Sequence, residues 1–226
     1  MTTTIILEDV SGSMLVFGKS PQNAINNLIE SLTKGDKVVI ISFNTKIIKT
    51  ETFDITDGSK PRYVSPTPDN GTALYDAIIK VVNEYGSDVN FQILTDGEDI
   101  NSEHSNHDAI AALQKAKAKG WLVGFLAANS DVASSGKDLG IATIINFNND
   151  TDTMTKCMRS LSGAMKRSRT GEYELFNNPF DSLIYSKPNV SNNPFDNPFY
   201  SLIDMKPTVY NNTFDSLFDN KSLKLY

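Results

Sequence analysis

The first 150 residues alternate between short, almost wholly apolar runs and longer stretches whose apolar positions recur every three or four residues. The short runs, at residues 5–7, 37–43, 91–95, 121–126 and 143–147, predict buried strands. A sixth run at 46–53 lies a tight turn away from 37–43, and predicts a neighbouring antiparallel edge strand. The periodic stretches predict crossover helices at 20–32, 72–85, 109–119 and 133–139, and a closing helix at 153–167. Ser20 is the expected cap of the first helix with Pro21 in its first turn, Thr72 the expected cap of the second, and Gly86 and Gly120 the expected stops. Strand and helix in alternation define an α/β fold: a doubly wound, mostly parallel sheet with one antiparallel edge strand and helices on both faces.

Two strands of that sheet end in carboxylates. The run Ile5-Ile6-Leu7 leads into Asp9-Val10-Ser11-Gly12-Ser13, and Phe91-Gln92-Ile93-Leu94-Thr95 leads into Asp96-Gly97. In an open parallel sheet ligands collect at the carboxyl ends of strands, so Asp9, Ser11, Ser13 and Asp96 share one crevice. Thr72, at the start of the second helix, supplies a third hydroxyl. An all-oxygen set without Cys or His suits Mg²⁺, Mn²⁺ or Ca²⁺ rather than zinc or copper. Two carboxylates balance a divalent cation and leave room for a third from a partner.

Other uses of these residues fit less well. A twelve-residue calcium loop starting at Asp9 requires Gly at its sixth position and Glu at its twelfth, where Met14 and Ser20 stand. An aspartyl-nucleophile phosphatase resembling the haloacid dehalogenases requires a second Asp where Ser11 stands. Asp, Ser and Gly also favour turns, so each segment alone could be a plain strand-end turn, but three separated segments agree.

The order Asp-x-Ser-x-Ser, Gly-Thr-x-Leu, Leu-Thr-Asp-Gly resembles the von Willebrand factor type A domain. The resemblance implies a metal-ion-dependent adhesion site in which Asp9, Ser11, Ser13, Thr72 and Asp96 occupy all five ligand positions. It implies a Rossmann-like fold and a partner protein that presents Asp or Glu to the ion. The stretch from Gly120 to Asp131, followed by Leu139-Gly140-Ile141, looks like a bacterial and phage branch of that family, and the resemblance extends to about residue 169.

Charge and composition narrow the partners. The net charge is −6, with 27 acidic and 21 basic residues and no basic stripe, so nucleic acid is not the expected partner. No apolar run is long enough to span a bilayer, and residues 1–4 lack the features of a signal peptide, so the expected location is the cytoplasm, or a host cytoplasm if the chain is phage-encoded. Cys157 is the sole cysteine, expected to be a packed thiol in a reducing compartment, beside Met154, Met158, Leu161 and Met165 on one helical face. His104 and His107 have a metal-like spacing. Ser105 and Asp108 instead predict a capping box there, with both histidines solvated, and Glu98 and Asp99 are expected to be solvated loop charges.

At residue 171 the character changes, so the domain is assigned to residues 1–170 and a tail to 171–226. The last 56 residues hold 11 of the 21 aromatics and 5 of the 9 prolines without helical or strand periodicity, which marks a non-globular tail rather than a second domain. Phe180-Asp181-Ser182-Leu183 returns as Phe199-Tyr200-Ser201-Leu202 and again as Phe214-Asp215-Ser216-Leu217, with Phe195-Asp196 between. Phe180, Leu183, Phe195, Phe199, Leu202, Phe214 and Leu217 are the candidate docking anchors. They would act multivalently, either on a partner or in tail-mediated self-association, unless the tail packs back on the domain. The expected function is therefore non-enzymatic, cation-dependent protein binding. The alternatives are a scaffold or virion component assembled by the tail, and a metal-dependent hydrolase, for which Glu98 is the only evident base.

Overall fold

A computed structural model describes residues 3–56, 60–128, 130–147 and 151–170, and the side chains of these apart from 130, 131 and 164–170. The tail anchors and the Met165 side chain lie outside that set. Six strands, β1 (Thr3–Asp9), β2 (Lys37–Phe43), β3 (Ile47–Asp54), β4 (Val89–Thr95), β5 (Leu122–Ala127) and β6 (Thr143–Asn146), form one sheet in the order β3-β2-β1-β4-β5-β6. All neighbours are parallel except β2 and β3, so the expected antiparallel edge is present. Burial follows position. The central strand β4 is buried at every residue, whereas edge strand β3 alternates half-buried and exposed, as one-sided packing requires.

Helices cover both faces. Ile5 and Leu7 of β1 face a core shared with α2 (Leu74–Glu84), α3 (Asn106–Ala118) and α4 (Ser130–Asp138). Ile6 faces the opposite core, built with α1 (Ser20–Ser31) and α5 (Thr151–Thr170), where Met154, Met158 and Leu161 are buried. Cys157 is half-buried beside them, its Sγ 3.7 Å from the Asn146 carbonyl. Close approach of α5 to the sheet depends on Gly124 in β5, where an added Cβ would fall 2.5 Å from Leu161. Among the described residues, no helix is long and apolar enough to cross a membrane.

Four local expectations are corrected. Ser20 does not cap α1: Lys19 holds the cap position without a side-chain bond, and the Ser20 hydroxyl instead accepts from Thr151 at 3.1 Å, joining α1 to α5. Nor does Thr72 cap α2, which begins two residues later. Its first N–H groups are satisfied from the loop after β4, with Tyr75 donating to Asp99 at 3.1 Å and Asp76 to the Ser102 hydroxyl at 3.0 Å. Asp99 is thus a distant cap rather than a solvated charge. Finally, the 54–71 connection, whose Pro, Asp, Gly and Thr predict a surface loop, is not wholly one, because Ile55 and Tyr63 are buried.

Tyr63 is held from two sides. Asn26 of α1 donates to its carbonyl at 2.9 Å and accepts its N–H at 2.8 Å, while Gln22 accepts the Ser65 N–H at 3.1 Å. The Tyr63 hydroxyl donates to the buried Glu8 carboxylate of β1, which also accepts from Ser42 at 3.1 Å and Ser65 at 2.6 Å. A buried carboxylate with three hydroxyl donors is tolerated because the donors replace the water it lost. Burial still pushes the Glu8 pKa up, against those hydrogen bonds. The cluster fixes the connection that delivers Thr72 to the far end of β1.

Candidate metal centre

The chain runs β1 to β2 to β3 in one direction from the centre of the sheet, and β4 to β5 to β6 in the other. The carboxyl ends of β1 and β4 therefore flank the point where strand order reverses, the usual ligand position in such sheets. Asp9 ends β1 and Asp96 follows β4 directly.

The five sequence-predicted oxygen residues converge there. Asp9 Oδ1 accepts the Ser11 N–H at 2.7 Å, and Asp9 Oδ2 accepts the Thr95 hydroxyl at 2.6 Å. Ser11 and Ser13 hydroxyls are 3.1 Å apart, and Ser13 donates to Asp96 Oδ1 at 2.8 Å. A Cβ built on Gly97 would lie 3.6 Å from Thr72 Oγ1 and 3.9 Å from Ser13 Oγ, which brings Thr72 to the same spot. Asp9, Ser11 and Thr72 are buried and form a floor, while Ser13 is exposed and Asp96 half-exposed, leaving one side open.

Backbone contacts hold the loops in register. Gly12 donates to Asn70 O at 2.8 Å, Asp69 to Val10 O at 2.9 Å, and Ala73 to Asn44 O at 2.8 Å. Thr72 is gripped from the β4 side: its N–H donates to Asn101 Oδ1 at 3.0 Å, and its carbonyl accepts the N–H groups of Ile100 and Asn101, each at 3.0 Å. Gly71 makes room for that grip, since a Cβ there would meet Asn101 Oδ1 at 1.8 Å. Asn44, Asn101 and Thr95 were not singled out by sequence reasoning. Only Thr95 carried a signal, through its place in Leu-Thr-Asp-Gly.

The electrostatics favour a cation. Burial pushes the Asp9 pKa up to about 6, hydrogen bonds from Thr95 and Ser11 oppose this, and the negative charge of Asp96 adds to the rise. Asp96 is raised as well, mainly by burial. Among the described residues, no Lys, Arg or His is ion-paired with either carboxylate. The Asp9 carboxylate accepts from Ser11 and Thr95 and, with up to about four acceptor sites, keeps acceptor capacity. Two partly desolvated carboxylates with three small hydroxyls fit a hard divalent ion such as Mg²⁺ or Mn²⁺, which Asp9, Ser11, Ser13, Thr72 and Asp96 would hold.

The two histidines do not join this centre. Ser105 and Asp108 form the expected capping box of α3. His104 is exposed but not unpartnered: Nδ1 lies 2.7 Å from Asp76 Oδ1, and that contact holds its pKa above the usual value. Among the described residues, no three His, Cys, Asp or Glu side chains come together in a metal-holding group.

The sheet order, the antiparallel edge and the helices on both faces are those of the von Willebrand factor type A fold. The chain superposes on a von Willebrand factor type A protein from Catenulispora acidiphila with a TM-score of 0.54 at 16% identity, covering 73% of this chain and 42% of that one. For VWA2, an ArnB paralog of Sulfolobus acidocaldarius, the TM-score is 0.56 at 20% identity, with coverage of 70% and 44%. For the open conformation of the pilus adhesin SpaC of Lactobacillus rhamnosus GG it is 0.56 at 15% identity, with coverage of 73% and 29%. The chain thus spans less than half the length of each of these proteins. No family model and no curated protein matches the sequence.

Proposed function

We propose that residues 1–170 form a von Willebrand factor type A module that binds a partner protein through a divalent cation. The observation that carries this reading is the arrangement of five oxygen side chains from three distant segments into a buried floor with one open side. A cation held there would supply a Lewis acid for an incoming carboxylate. Asp9 and Asp96 provide the balancing charge, Ser11, Ser13 and Thr72 are neutral donors, and the open side admits an Asp or Glu of the partner. The fold shared with the SpaC pilus adhesin supports a binding role.

Binding rather than catalysis is proposed because His104 is engaged by Asp76 and Glu98 is a solvent-exposed loop carboxylate. Residues 171–226 are proposed as the multivalent docking segment, and the acidic chain with its single thiol is placed in the cytoplasm.

The test is Mn²⁺ uptake by the full chain, followed by electron paramagnetic resonance, together with partner capture with and without chelator. Uptake that disappears in Asp9→Ala, and capture lost with it, are expected. Absence of uptake in the unaltered chain overturns the reading, and metal-dependent turnover of phosphoesters or peptides transfers it to the hydrolases.

A further inference from the structure

Among the described residues five large hydrophobic side chains are exposed, and three of them sit on segments that carry or hold the oxygen residues. Leu15 and Val16, 59% and 69% exposed, follow Ser13 by two and three residues in the 3-10 helix Gly12–Phe17, whose Met14 and Phe17 turn into the core. Ile100, 72% exposed, donates its N–H to the Thr72 carbonyl. The fold buries none of the three, and apolar groups grouped beside a polar centre mark an interaction surface. Such a surface suits a carboxylate with bulky apolar neighbours close to it in sequence.

The chain itself carries that pattern repeatedly. Phe180-Asp181-Ser182-Leu183 and Phe214-Asp215-Ser216-Leu217 set an acid between Phe and Leu, Phe195-Asp196 repeats the first half, and Phe199-Tyr200-Ser201-Leu202 is followed by Asp204. In sequence, Phe stands one residue before the acid and Leu two residues after it. Leu15 and Val16 are separated from Ser13 by a comparable span of chain. One cation site per domain and several acid-bearing repeats per tail make a heterologous contact that need not close on itself.

We infer that the ligand of the metal centre is a Phe-Asp-Ser-Leu repeat from a second copy of this chain. The Asp enters the open side, and the Phe and Leu cover Leu15, Val16 and Ile100. This rests on the cation reading above.

The test uses as receptor the full chain with Asp181, Asp196, Asp204 and Asp215 all changed to Asn, so that its own repeats do not compete. A labelled peptide of residues 177–188 is titrated by fluorescence anisotropy in Mn²⁺, and Mn²⁺ uptake is measured separately. Peptide binding is expected, weakened at least tenfold by chelator or by Asp181→Asn in the peptide. At saturating Mn²⁺, Leu15→Ser with Val16→Ser in the receptor is expected to weaken it about tenfold. The unaltered chain is expected to sediment as species that grow with concentration and revert with chelator. Mn²⁺ uptake without peptide binding, or binding indifferent to Asp181→Asn, overturns this inference and leaves the cation reading standing. Lack of Mn²⁺ uptake overturns both. Peptide binding by the receptor with an unaltered chain that stays monomeric overturns the second copy as the source.

Discussion

Glu8 and Asp9 are consecutive residues of one strand, both almost fully buried, and they have opposite fates. Strand geometry sends their side chains to opposite faces. Glu8 meets three hydroxyls from Ser42, Tyr63 and Ser65, all donating inward, so its charge is spent on holding a loop. Asp9 meets the Thr95 hydroxyl and the hydroxyl and N–H of Ser11, faces a second carboxylate, and opens toward solvent on Asp96's side. Burial alone therefore does not separate a structural carboxylate from a binding one. What separates them is whether the surrounding groups are donors that complete the shell or further acceptors that leave it short of positive charge.

The largest expected effect breaks the pair at Asp9. Asp9→Ala is expected to lower Mn²⁺ affinity by at least about a hundredfold, since loss even of an outer-shell partner costs ten- to a hundredfold. The metal-free variant should unfold at no lower denaturant concentration than the parent, because an uncompensated buried charge has gone. Glu8→Ala should do the reverse. With three hydroxyls deprived of their acceptor, unfolding free energy is expected to fall by about 3 kcal/mol, read from denaturant titration, with a much smaller change in Mn²⁺ affinity.

Gly71→Ala sharpens the comparison from the loop side. The new Cβ collides with Asn101 Oδ1 and displaces it from the Thr72 N–H, which is expected to cost about 1–3 kcal/mol and to weaken Mn²⁺ uptake measurably.

The smallest effect is in pH dependence. Glu8 is raised from 4.5, so above that pH the folded chain holds a proton that the unfolded chain has released, and stability falls as pH climbs through the folded value. Glu8→Gln is expected to remove that part of the fall in urea titrations of metal-free protein. The decline between 3.8 and about 6 that Asp9 contributes should remain.

Much of this was legible locally. The apolar runs gave the strands of the sheet, and the abrupt switch to Asp and Ser at Asp9, and to Asp and Gly at Asp96, located the centre because strand ends and ligands coincide in this architecture. The misreadings share a cause. Thr72 looked like a helix cap because local sequence favours it, yet Asp99 and Ser102, some twenty-five residues downstream, perform that task. That division of labour leaves the Thr72 hydroxyl to the centre. Tyr63 was hidden because a segment rich in Pro, Asp and Thr reads as surface, and its burial depends on Glu8, fifty-five positions away. A long-range partner leaves no periodic trace in the chain.

The grip of residues 100 and 101 on Thr72 has a mechanical consequence. Three hydrogen bonds weld the threonine to the segment that follows Asp96, and that same segment fastens the start of α2 through Asp99, Ser102 and the contact of His104 with Asp76, and then runs on into α3. Whatever binds at Asp96 therefore rests on the same stretch of chain that anchors α2 and leads into α3, so the centre and the two helices share one support.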